Sequence, residues 1–64
     1  MTLALREARA TAGMTQARVA ELAEISTMSY MRYENGQRSP DANTLIRIAK
    51  ALDCNVEDLF SKDK

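Results

Sequence analysis

Apolar residues recur along this chain at helical spacing. Leu5, Ala8 and Ala12 fall at i, i+3 and i+7, and Val19, Ala20 and Ala23 share one face. Leu45, Ile48, Ala49 and Leu52 sit at i, i+3, i+4 and i+7, the strongest periodicity in the sequence. β-Branched residues are scattered rather than alternating, so no strand is predicted. Capping signals divide the pattern. A first helix over about 2–12 ends at Gly13, which suits a left-handed closure. Thr15 then caps a second helix over 16–23, and Ser26 caps a third over 27–35, with Ile25 placed as a hydrophobic staple against Tyr30. Tyr30 and Tyr33 form the third helix's inner face, and Asn35-Gly36 ends it. Asp41, after Pro40, caps the fourth helix. Beyond a turn over 53–55, Val56, Leu59 and Phe60 predict a short fifth helix, and 61–64 reads as a solvated tail. The second and third helices are so closely joined that they must cross at a large angle, and small Ala20 lets a neighbour approach. This is helix-turn-helix geometry, over about 16–35.

Composition narrows the function classes. At 64 residues the chain is expected to be one domain over 1–64, burying only about 60% of its unfolded surface. Hydrophobic residues at 45% and charged residues at 28% mark it as globular rather than disordered. One cysteine, Cys54, permits no intrachain disulfide, and the absence of histidine removes His-ligated zinc sites and His-based catalysis. No nucleophile–base pair or metal cluster can be assembled, so an enzyme is not expected, nor any cofactor, metal or small-molecule ligand. No apolar run has the length of a membrane span or signal core, which predicts a cytoplasmic protein with no membrane partner. Nine basic residues balance nine acidic ones, so any affinity for nucleic acid must come from a local patch.

Four ordered blocks carry a family resemblance. Thr15-Gln16-Ala17-Arg18-Val19-Ala20-Glu21-Leu22-Ala23-Glu24-Ile25-Ser26 resembles the opening of the helix-turn-helix of Cro and the phage repressors, the xenobiotic-response-element family. Arg32-Tyr33-Glu34-Asn35-Gly36-Gln37-Arg38-Ser39-Pro40 is similar to that family's helix end and loop. Thr44-Leu45-Ile46-Arg47-Ile48-Ala49-Lys50-Ala51-Leu52 and Val56-Glu57-Asp58-Leu59-Phe60 resemble its last two helices. The match runs in register over about 5–60. It implies an all-α, compact five-helix, lambda-repressor-like DNA-binding domain. It further implies a sequence-specific transcriptional regulator, a repressor, that binds a pseudo-palindrome in double-stranded DNA as a homodimer. One position departs: Glu24 stands where the family often has glycine. If that residue needs a positive φ, it costs roughly 1 kcal/mol relative to glycine.

The resemblance also distributes roles. With the two tyrosines inward, helical spacing turns Thr27, Met28, Met31 and Arg32 outward. The family's base-reading positions fall on Thr27, Met28 and Arg32, with Met31 a weaker addition. Arg32 suits guanine, Thr27 offers a hydrogen bond, and Met28 suits a thymine methyl. Gln16, at a helix N-terminus, is the family's contact to the DNA backbone. Asn35, Gln37 and Arg38 suit the next phosphates, and Arg18 adds to the positive rim. Arg9 and Glu34 correspond to a partly buried ion pair; the alternative is an exposed Arg9 free for phosphate. Cys54 falls at an apolar position and reads as a small buried hydrophobe, with a redox sensor as the other reading. Leu22 and Ile46 lie off the main stripes, and Phe60 is either a dimer seam or part of the core. A second function remains open: a protein-interaction module, antitoxin-like or an adaptor. The neutral charge, the Met28/Met31 pair and the shortage of basic residues on the third helix favour it.

Overall fold

Polar residues that cap three of the runs, and left-handed residues that close all four, divide residues 3–60 into four α-helices; these are the residues described by the computed structural model. They are α1 (Leu5–Ala12), α2 (Gln16–Ala23), α3 (Thr27–Glu34) and α4 (Ala42–Ala51). The expected 61–64 tail and the Thr2 start of the first helix lie outside the described residues. Three caps are made by side chains: Thr15 Oγ1 accepts from Arg18 N, Ser26 Oγ from Ser29 N, and Asp41 Oδ1 from Thr44 N, at 3.1, 3.0 and 2.8 Å.

All four helices close in one way. A residue at positive φ follows each helix: Gly13, Glu24, Gly36 and Asp53, at 69, 61, 76 and 56°. The next amide then reaches back five residues: Met14 N to Arg9 O, Ile25 N to Ala20 O, Gln37 N to Arg32 O and Cys54 N to Ala49 O. This is the Schellman closure, and it satisfies carbonyls that would otherwise be orphaned. Two of the four closures use residues that carry a Cβ, so Glu24 does hold the left-handed conformation in the turn between α2 and α3.

The fifth α-helix does not form. Val56–Leu59 is a single 3₁₀ turn, because an apolar pair at i, i+3 is served as well by three residues per turn as by 3.6. The chain then goes extended at Phe60, which forms an isolated antiparallel bridge with Leu3. Ala4 N donates to Leu59 O at 2.7 Å, tying the two ends of the described chain together.

The core gathers one stripe from each element: Leu5 of α1, Val19, Ala20 and Ala23 of α2, Tyr30 of α3, Ile48, Ala49 and Ala51 of α4, then Leu52 and Leu59. Ala20 is fully buried where α2 packs on its neighbours α3 and α4. Ala12, expected on the α1 stripe, is exposed: seven residues keep it within about 20° of the Leu5 face, but burial along that face falls from Leu5 through half-buried Ala8 to the last turn. Tyr33 is half-buried rather than fully enclosed. Leu22 and Ile46 are 42% and 44% exposed. Among the described residues, no helix is long and apolar enough to cross a membrane.

Candidate nucleic-acid interface

α3 presents two faces of opposite character. Tyr30 points inward with no exposed surface, while Thr27, Met28 and Arg32 are exposed on the other side, Met28 by 57%. Met28 and Arg32 are four residues apart and lie one turn above the other. Arg32 makes no ion pair among the described residues, so its guanidinium is free to meet a ligand. Met31 is half-buried and lies at the edge of this face.

The far end of α3 is anchored through Glu34. Its side chain has no exposed surface, and Arg9 Nε donates to Glu34 Oε2 at 2.6 Å. Arg9 Nη2 reaches Oε1 at 3.4 Å, and Arg9 Nη1 donates to the Met14 carbonyl at 3.0 Å. Gln16 Nε2 donates to Glu34 Oε1 at 2.9 Å, so α1 and α2 both grip one carboxylate of α3. Burial alone would push the Glu34 carboxyl up. Hydrogen bonds from Arg9 and Gln16, with the Tyr30 hydroxyl close by, outweigh it, and the net shift is down. The hydrogen bond to Glu34 holds the Arg9 guanidinium above its ordinary range against the opposing effect of burial. The Tyr30 hydroxyl is buried without a hydrogen bond of good geometry. Burial first, and the neighbouring Glu34 carboxylate second, raise the phenol well above the usual tyrosine range.

The expected phosphate-contacting residues are placed unevenly. Gln16 is half-buried, with its amide nitrogen turned to Glu34 rather than outward. Arg18 is exposed but paired with Glu21 at 2.8 Å, which takes up part of its charge. Asn35, Gln37 and Arg38 are exposed directly after α3. Asn35 Oδ1 accepts from Arg6 Nη2 at 3.2 Å, and Arg6 Nε lies 3.6 Å from Glu34. Arg6 escaped the sequence reading, although its i, i+3 relation to Arg9 on α1 is a signal that both face the end of α3. Arg47 escaped it too, and no local signal points to it: it donates to the Ala23 and Glu24 carbonyls, remote in sequence. Phe60 is half-buried on a groove of about 610 Å³ that Leu3, Tyr33, Pro40 and Leu45 also line. Cys54 is half-buried against the core rather than enclosed. Burial first, then Asp58 and Asp53, push its thiol up, away from the reactive thiolate.

The surface thus combines a rigid, outward α3 face with free or mostly exposed cations, Arg6, Arg32 and Arg38, around it. Residues 5–59 match the model of the helix-turn-helix family. The chain is 35% identical over 60 residues to the HTH-type transcriptional regulator ImmR of Bacillus subtilis, covering 94% of this chain and 47% of that protein. It is 38% identical over 48 residues to the cryptic phage CTXphi transcriptional repressor RstR of Vibrio cholerae, covering 75% and 43%. The chain therefore spans about half the length of these curated relatives. Among solved structures it resembles the restriction-modification controller protein C.AhdI of Aeromonas hydrophila, with a TM-score of 0.84 and 32% identity over 88% of this chain and 85% of that one.

Proposed function

The chain belongs to the helix-turn-helix family, and on that premise we propose that it is a sequence-specific DNA-binding transcriptional regulator, a repressor, rather than an enzyme. The observation that carries this reading is the exposure of Thr27, Met28 and Arg32 on one face of α3 while Tyr30 behind them is fully buried. A side chain can read a base edge only if it projects from a support that does not yield. In this reading α3 enters the major groove. Arg32 pairs with guanine O6 and N7, Thr27 hydrogen-bonds a base or phosphate, and Met28, with Met31 beside it, packs on a thymine methyl. Arg38, Gln37 and Asn35 meet the phosphates beyond α3, and Arg6 joins them. Gln16 offers the DNA backbone the second N–H of its side-chain amide, the first being held by Glu34. Arg18 contributes once its weak exposed pair with Glu21 opens. The chain acts as one domain over 1–64 in the cytoplasm, and two copies bind a pseudo-palindrome. Phe60 and the groove beside it form the dimer seam, since one copy offers few base contacts. The regulator and repressor named among its relatives support the reading.

Binding to duplexes selected from a random library tests it. The wild-type chain is expected to select a half-site, and its affinity should fall as salt rises, with a slope of about 0.9 per phosphate neutralised. Arg32→Ala should cost about 1–3 kcal/mol and relax preference at one base pair. A chain that selects no sequence at physiological salt, with Arg32→Ala indistinguishable from it, is instead the protein-interaction module that exposed Met28 favours.

A further inference from the structure

We infer that Arg47 is a positioning residue for α3, acting from α4 on the turn that aims the helix. α2 ends at Ala23, and Glu24 follows it at φ 61, ψ 42, a conformation that residues with a Cβ adopt reluctantly. Glu24 N and Ile25 N close back onto Glu21 O and Ala20 O at 3.1 and 3.0 Å. The Ala23 and Glu24 carbonyls lie further along the turn. Arg47 takes both: Nε donates to Ala23 O at 3.0 Å and Nη2 to Glu24 O at 3.2 Å. Only a planar guanidinium offers two donors in a fixed fork, and its charge also suits a helix C-terminus. The fork stands on α4, which packs against α2, so the turn is pinned to the scaffold from outside its own sequence.

The pin has leverage over α3. Ser26, the α3 cap, lies two residues beyond Glu24, so rotation at Glu24 swings the whole helix. Eight residues span about 12 Å, and a swing of about 10° moves the far end by about 2 Å, several times the tolerance of a hydrogen bond. The Arg9–Glu34 pair holds that far end. Arg47 therefore supplies the second fixed point, at the end from which Thr27 and Met28 project. Family glycine at position 24 would relax without strain; with Glu24 there, an external clamp has more to hold.

Two variants test the assignment by amide hydrogen exchange and by DNA binding. Arg47→Met keeps the aliphatic stem and removes the donors, and Arg47→Lys keeps the charge but lacks the rigid fork that fits both carbonyls. In Arg47→Met the Glu24 and Ile25 amides should exchange roughly tenfold faster relative to the Leu52 amide of α4, with Arg47→Lys in between. Equal exchange at the turn and at Leu52, in both variants, overturns the inference. The DNA arm rests on the function proposed above. For the duplex that the wild-type chain selects from a random library, affinity should fall roughly tenfold with the salt slope unchanged, because Arg47 neutralises no phosphate. A slope reduced by about 0.9 makes Arg47 a phosphate contact and also overturns the positioning role. If the wild-type chain selects no duplex, the DNA reading fails, and the exchange measurement alone decides whether Arg47 holds the turn.

Discussion

Replacing Arg9 by alanine isolates what holds the end of α3. Glu34 has no exposed side-chain surface, and Arg9 is its closest charged partner, at 2.6 Å. Breaking a buried ion pair from one side costs about 3–5 kcal/mol, because the remaining charge stays buried. Here Gln16 still donates at 2.9 Å, and Arg6, itself 67% exposed, lies at 3.6 Å. These residual partners bring the expected loss to about 2–4 kcal/mol near neutral pH. A domain of this size has roughly 3–10 kcal/mol in total, so Arg9→Ala should be marginally folded. The pH dependence separates this mechanism from a simple loss of packing. In the wild type the Glu34 carboxyl sits below its ordinary 4.5, so its contribution is complete above that value and is lost as pH falls through the lower, folded-state pKa. In Arg9→Ala, burial prevails and the carboxyl moves up. Its ionisation then destabilises the fold at neutral pH, and protonation relieves that on acidification. The stability gap between the two proteins should therefore shrink as pH falls from about 7 to about 4. Urea unfolding followed by far-UV circular dichroism at a series of pH values measures it. A gap under about 1 kcal/mol at neutral pH, or one that stays constant with pH, refutes the reasoning. Replacing both partners by Met at 9 and Leu at 34 should recover most of the loss.

Three further outcomes follow from the same geometry. Glu24→Gly should raise stability by about 0.5–1 kcal/mol, since relief of left-handed strain exceeds the added unfolded-state entropy; thermal unfolding reads it as a higher Tm. Gly13→Ala should lower stability by about 1 kcal/mol in the same assay; a Cβ there meets nothing within 4 Å, so the cost is conformational alone. Tyr30→Phe should change stability by less than about 1 kcal/mol, because the hydroxyl it removes makes no good hydrogen bond, whereas Tyr30→Ala should cost about 3–5 kcal/mol on urea unfolding.

Several features of this protein were legible in the amino-acid order. The caps at Thr15, Ser26 and Asp41, the closures at Gly13 and Gly36, and the α4 stripe all rest on interactions within about four residues, which spacing and residue type specify. The outward placement of Thr27, Met28 and Arg32 follows from the same helical period once Tyr30 is inward. The pairing of Arg9 with Glu34 entered only through family resemblance, since nothing in the spacing of residues 25 apart requires it. Tertiary structure decided the rest. It made the last apolar pair a 3₁₀ turn and set Phe60 in extended pairing with Leu3. It turned the Gln16 amide to Glu34, set Arg6 on Asn35, and brought Arg47 to the Ala23 and Glu24 carbonyls. Each of those partners lies 18 to 29 residues away along the chain. A long polar side chain carries no local sign of which distant acceptor it will meet; only the packing of α2 on α3, and of α1 and α4 against that pair, brings the acceptor within reach.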